Sequence, residues 1–274
     1  MSPETPVQMS SSTSDIALLE VAEHIKALDP NGTQLARVFR ETFDQLYDGQ
    51  RTGRYRVDQL MKTEKTGFGT FIEINLQEKF SFPDGEKLDY RIADHEVDCK
   101  FSFSSGWMIP PECFNEIALL AWADDSRSQW SLGLIRASEE NLRGSTNRDG
   151  KTGLNKHGRS KIHWLFQEAQ MPPNILLKIP RETVDKIMSQ KSGQQRVNEL
   201  FRSVQDERIT RNVVATVAKQ KDYMKRVREN GGARTLLAPE GITIFSGDYL
   251  VQADAAEART GVRPLPGEFI ATKK

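Results

Sequence analysis

Apolar positions recur every three or four residues near the start of the chain. Leu18, Val21, Ala22, Ile25 and Leu28 form one row, and Leu35, Val38, Phe39, Phe43, Leu46 and Tyr47 a second. Pro30, Asn31 and Gly32 separate the rows, so the pattern predicts a helical hairpin. After a Gly- and Arg-containing turn over 48–54, Phe68, Ile72 and Leu76 predict a third helix from about Thr66 to Phe80, with Glu73 at the border of its apolar row. The period then changes from helix to strand. Pro83, Asp84 and Gly85 form a turn signal, and Leu88, Tyr90 and Ile92 alternate with polar residues. Beyond a second turn at Ala93 to His95, Val97, Cys99, Phe101 and Phe103 point one way while Glu96, Asp98, Lys100 and Ser102 point the other. The apolar runs 117–122 and 130–135 predict further strands of the same sheet, and 143–161 reads as a basic loop.

Pro172 and Pro173 interrupt the pattern and predict a linker. Beyond them come three short helical stripes: Val197, Leu200, Phe201 and Val204; Val213, Val214 and Val217; Met224 and Val227, closed by Gly231 and Gly232. The segment 233–237, a Pro-Glu-Gly turn and the apolar strand 242–245 follow. Three helices and then a hairpin is the order of a winged helix-turn-helix, and the chain is expected to end soon after it. The expectation is an α/β (α+β) protein whose mixed sheet is flanked by helices: a disordered tail over 1–14, a first domain over 15–168, a linker over 169–193 and a winged-helix domain over 194–274.

Composition narrows the class. Apolar residues make up 37% and charged residues 28%, polar for a globular chain yet short of the disordered range. The longest apolar runs are a fraction of the ~20 residues needed to span a bilayer. The tail has neither the basic start nor the apolar stretch of a signal peptide. Two cysteines form no disulfide framework or zinc site by themselves, which points to a reducing, cytoplasmic setting. Net charge is zero, but 196–234 holds ten Lys/Arg against five Asp/Glu, the asymmetry expected where one module holds DNA.

The candidate chemistry sits on the predicted hairpin, with Asp89 on one strand and Asp98 and Lys100, two apart, on one face of the next. An Asp-x-Lys pair alone reads as a solvated ion pair; Asp89 on the neighbouring strand makes the group a candidate site. Phosphodiester hydrolysis needs a cation against the charge of the transition state and a water that can lose a proton. Mg²⁺ held by one or two carboxylates and several waters supplies both. Asp89, Asp98 and the backbone carbonyl of Cys99 fit as metal ligands, Glu73 as a further ligand or water-orienting base, and Lys100 as the positive group beside the phosphate.

The order Glu73, Asp89, Asp98-Cys99-Lys100 resembles the catalytic set of the PD-(D/E)xK nucleases, in the form carried by the NaeI family of restriction endonucleases. So do Leu46-Tyr47-Asp48-Gly49-Gln50-Arg51-Thr52-Gly53-Arg54, Lys62 to Thr66, Glu73 to Leu76, Arg196 to Phe201, Gly231 to Arg234 and Pro239 to Ile242. The resemblance covers roughly residues 35 to 270. It departs from the wider superfamily in having Leu88 where a proline commonly precedes the first aspartate, and Cys99 between Asp98 and Lys100. It implies a homodimeric, Mg²⁺-dependent type II enzyme cutting double-stranded DNA, with an N-terminal nuclease domain and a C-terminal DNA-binding domain whose second DNA site stimulates cleavage.

For that second domain, a helix over 222–230, capped by Asp222, is the expected recognition element, carrying Tyr223, Lys225, Arg226 and Arg228. Arg211, Lys219, Lys221 and Arg234 are expected to touch phosphates. The alternatives are a DNA-binding regulator with an inactive nuclease-like dimerisation domain, or a methylation-dependent, repair or nicking nuclease.

Overall fold

The computed structural model describes residues 15–273; the expected tail over 1–14 lies outside them. The predicted hairpin consists of α1 (Ile16–Leu28) and α2 (Thr33–Tyr47). Asp15 caps α1 by accepting from the Leu18 N–H at 3.0 Å. Between the helices, Gly32 has φ +69°, and a Cβ there would come within 2.7 Å of the Phe166 ring, so only glycine fits. A short α3 (Gly49–Thr52) follows, then α4 (Lys62–Phe80). α4 begins four residues before Thr66, because Glu64 accepts the Met61 N–H at 2.8 Å and a two-armed contact from Arg54 at 2.8 Å each. Its first turn carries no apolar row, so periodicity alone misses it.

The strands are β1 (Tyr90–Ile92), β2 (His95–Phe101), β3 (Met108–Ile109), β4 (Ile117–Asp124), β5 (Gln129–Arg136), β6 (Thr152–Gly153) and, after α5 (Lys156–Lys161), β7 (His163–Gln170). The main sheet has the order β1-β2-β4-β5-β7; β2 and β4 run parallel and the other neighbours antiparallel, so the sheet is mixed. One face, with Val97, Cys99, Leu119 and Leu134, packs on Phe39, Phe43, Phe68, Ile72 and Leu76 from α2 and α4. The other, with Ala118, Leu120 and Ile135, lies under Trp107, Ile109, Leu142, Leu154 and Ile162. Residues 143–161, expected as loop, contain β6, which pairs with β3, and α5. β7 was not foreseen, because this edge strand buries little and its ladder with β5 is broken by bulges. It runs past residue 168, and Met171 still belongs to the first core.

The stretch 169–193 differs from an unstructured linker: it holds α6 (Ile175–Lys178) and α7 (Arg181–Met188), which place Ile175, Leu176, Val184 and Ile187 in a second core. The chain continues through α8 (Gly193–Ser203), β8 (Ile209–Thr210), α9 (Arg211–Ala218), a 3-10 turn (Tyr223–Arg226), α10 (Ala233–Leu237), β9 (Ile242–Ser246), α11 (Leu250–Thr260) and β10 (Glu268–Lys273). Its antiparallel sheet has the order β8-β10-β9. β9 and β10 pair as a hairpin would, but α11 joins them in place of a tight turn. The α8 start is a reciprocal cap in which Ser192 Oγ accepts the Gln195 N–H at 3.2 Å and Gln195 accepts the Ser192 N–H at 3.1 Å. Ser192→Ala should therefore lower stability by about 1 kcal/mol, measured by urea unfolding.

The two halves meet where α3 lies on α9. A Cβ on Gly49 would sit 2.1 Å from Thr216 Oγ1, and Gln50 Nε2 donates to the carbonyls of Gln220 and Lys221 at 2.9 and 3.1 Å.

Candidate active site

Asp98 and Lys100 leave the same face of β2, as their spacing requires. Asp89 stands in the bend just before β1, not on a strand as expected. Its Oδ2 accepts the Cys99 N–H at 2.7 Å, which ties the bend to β2. The Lys100 ammonium lies 2.8 Å from Asp98 Oδ1 and 3.5 Å from Asp89 Oδ2, and it donates to the Cys99 carbonyl at 2.9 Å. One cation thus lies against three of the four oxygen-bearing groups expected to hold a metal, all but Glu73. Half-buried Glu73 approaches from α4. The Tyr90 hydroxyl donates to the Glu73 carbonyl at 2.7 Å and fastens that helix to β1.

Burial shapes the charges. Asp98 is buried, and desolvation pushes its carboxyl above the ordinary range even though Lys100 beside it pulls the other way. Glu73 is likewise raised, first by burial and then by the Asp89 carboxylate. Burial works against the charge on Lys100, but Asp98 more than offsets it and the ammonium is held charged. The Cys99 thiol, buried and pushed up to about 12, is inert.

Among the described residues, no three His, Cys, Asp or Glu side chains close around one point as a ready-made metal cage. Lys100 fills the gap that these oxygens share. Asp98 Oδ2, however, is buried without a hydrogen-bond partner. The Cys113 thiol, a weak donor, is near the Asp98 carboxyl, and no hydrogen bond of normal geometry reaches Oδ2. An orphaned carboxylate oxygen beside a second carboxylate and a free carbonyl lone pair suits a hard cation that keeps most of its waters.

Glu96 was missed as a contributor. Its carboxylate accepts the backbone N–H groups of Glu86, Lys87 and Leu88 at 2.8, 3.0 and 2.9 Å, and so shapes the turn that delivers Asp89. No local pattern signals this, because the partners are backbone groups on a folded-back loop.

The expected reader residues are dispersed. Residues 222–230 form no α-helix, only the 3-10 turn Tyr223–Arg226. Asp222 pairs with Lys225 at 3.0 Å and does not cap, and Gly231 with φ +81° breaks the run. Met224 and Val227, three apart, suit a 3-10 turn as well as a helix. Arg226 Nε donates to Gln220 Oε1 at 2.6 Å, Tyr223 packs on the second core, and Arg228 is exposed. Arg211 pairs with Asp248 at 2.6 Å; Lys219 ends α9 and lies over Gly53; Lys221 is exposed. Arg234, on α10, is half-buried, donates to Gln252 at 3.1 Å and has its pKa lowered by desolvation.

Residues 19–273 match the family described as restriction endonuclease NaeI. The chain is also 49% identical to the type II restriction enzyme NaeI of Lentzea aerocolonigenes, over 88% of this chain and 78% of that protein. With a match spanning both halves, and with Asp98 and Lys100 paired on one face of β2 and Asp89 brought beside them, this chain belongs to the restriction endonuclease NaeI family.

Proposed function

We propose that this chain is a site-specific type II DNA endonuclease that uses Mg²⁺ and cuts double-stranded DNA as a homodimer, each protomer contributing one catalytic set. The observation that carries this reading is the convergence of Asp98, Asp89 and the Cys99 carbonyl on the Lys100 ammonium, with Asp98 Oδ2 left unpartnered. Asp89, Asp98 and the Cys99 carbonyl, with Glu73, would hold Mg²⁺, which when bound supplies charge neutralisation at the phosphate and a more acidic water. Lys100 places positive charge where the phosphate oxygens gain negative charge. Glu73, whose carboxyl is raised by burial and then by Asp89, is read as a further ligand or as the base that orients the attacking water.

The second half is read as the DNA reader. α8, β8, α9, α10, β9 and β10, in sheet order β8-β10-β9, have the succession of a winged helix. α10 with Arg234 replaces 222–230 as its recognition helix, Arg211 and Arg228 line the same cleft as Arg234, and a second duplex held there stimulates cleavage. A cytoplasmic setting agrees with two free, buried cysteines and with the absence, among the described residues, of a helix long and apolar enough to cross a membrane.

The test is incubation of methylated and unmethylated plasmids with the protein, with and without Mg²⁺. Discrete, Mg²⁺-dependent fragments are the expected result; DNA binding without cutting would favour the regulator.

The pH dependence has a definite sign. A carboxyl whose pKa is raised on folding stabilises the fold below its unfolded pKa and loses that contribution as pH rises through the folded value. Ionised Asp98 and Glu73 therefore weigh against stability near neutral pH, and a bound cation offsets this. Mg²⁺ should raise the melting temperature more at neutral pH than in mildly acid buffer.

A further inference from the structure

The segment 143–161 carries Arg143, Arg148, Lys151, Lys156, Arg159 and Lys161 against one acid, Asp149. All six cations are exposed. Among the described residues none of them makes an ion pair, whereas on the C-terminal half Arg202, Arg208, Arg211, Lys225 and Arg263 all have carboxylate partners. Lys219, Lys221 and Arg228 of that half have none among the described residues, so 143–161 gives the nuclease half an unneutralised cationic stretch of its own.

Its backbone is tightly held. β6 pairs with β3, and Leu142 bridges to Leu154. Asn155 donates to the carbonyls of Glu140 and Leu142 at 2.7 and 2.8 Å and caps α5 through the Gly158 N–H at 2.8 Å. Asn147 closes the tip by accepting the N–H groups of Asp149 and Lys151 at 3.0 and 2.9 Å. The segment also lies on the catalytic side of the sheet. Asp98 and Lys100 pair in register with Ala118 and Leu120, whose side chains pack under Leu142, Leu154 and Ile162. Arg159 donates to the Ser105 carbonyl at 2.8 Å, on the turn leaving β2 five residues after Lys100.

We propose that 143–161 is the surface on which the nuclease half grips the sugar-phosphate backbone of the duplex it cuts. This rests on the reading of Asp98 and Lys100 as the cleavage site. Unpaired cations on a firmly held backbone, on the catalytic side of the sheet, suit contacts to phosphates, and each phosphate contact releases a counterion.

The test uses the full chain carrying R148Q, K151Q, K156Q and K161Q together, four side chains without a hydrogen bond or ion pair among the described residues. The salt dependence of DNA binding should flatten by about 3 to 4 in the log–log slope, and KM for cleavage should rise about tenfold or more at physiological salt. The melting temperature should match the parent. The pairs R148Q/K151Q and K156Q/K161Q should each show about half the change in slope, which keeps the test open if the quadruple variant folds poorly. Unchanged slope and KM in stable variants would overturn the proposal while leaving the cleavage site intact. Persistent cutting by Asp98→Ala would remove the site reading itself.

Discussion

Asp98→Ala should abolish cleavage, by roughly 10³-fold or more, while the protein still binds DNA. Asp98 supplies both the contact that positions the Lys100 ammonium and the unpartnered oxygen that suits a cation. Without it, Lys100 keeps only the Cys99 carbonyl and the more distant Asp89. Lys100→Ala should cost comparable activity by a different route, leaving the carboxylates in place while removing the charge aimed at the phosphate. The two variants should separate when Mg²⁺ is titrated by calorimetry: Asp98→Ala loses the binding signal, and Lys100→Ala keeps or strengthens it. Activity retained by Asp98→Ala would place the chemistry elsewhere.

Asp125→Ala should be strongly destabilising. Arg40 is buried within α2 and pairs with Asp125 at the β4–β5 turn, and the Tyr47 hydroxyl donates to the same carboxylate at 2.7 Å. Asp44 pairs with Arg40 at 2.9 Å, but its own carboxyl is pushed up to about 6 by burial, so it is a poor replacement counter-charge near that pH. Removing Asp125 leaves a buried guanidinium and a buried hydroxyl short of acceptors, a loss of roughly 3–5 kcal/mol. The check is a denaturant melt, with Arg40→Met/Asp125→Leu alongside. Because the desolvation penalty of both ions then vanishes, the double variant should recover much of the loss. If Asp125→Ala melts like the parent, the buried network contributes nothing.

Much of the fold was legible because each clear pattern arose from one buried face. β2 alternates cleanly since Val97 and Cys99 meet helices while Asp98 and Lys100 do not. The α1–α2 hairpin likewise shows its rows. α11 was not legible, because it buries only Ala253 and Ala256 and leaves Leu250 and Val251 exposed. β10 was hidden for the opposite reason: Phe269, Ile270 and Ala271 are all buried, with no alternation to read. In the site, spacing alone placed Asp98 beside Lys100. The supporting bonds from Glu96 and Tyr90 end on backbone groups, which leave no trace in residue types.

The sequence by itself determined which residues share a face of one element, because backbone geometry imposes periods of two and 3.6 locally. It therefore contained the Asp98–Lys100 pair, the basic character of 143–161 and the helical start of the chain. Only the tertiary structure decided that Asp89 arrives from a bend, that Glu73 comes across from α4, that the Lys100 ammonium sits among the acidic oxygens, and that 222–230 turns too tightly for a helix. Those outcomes depend on packing and hydrogen bonds between segments far apart in the chain, to which no local period responds.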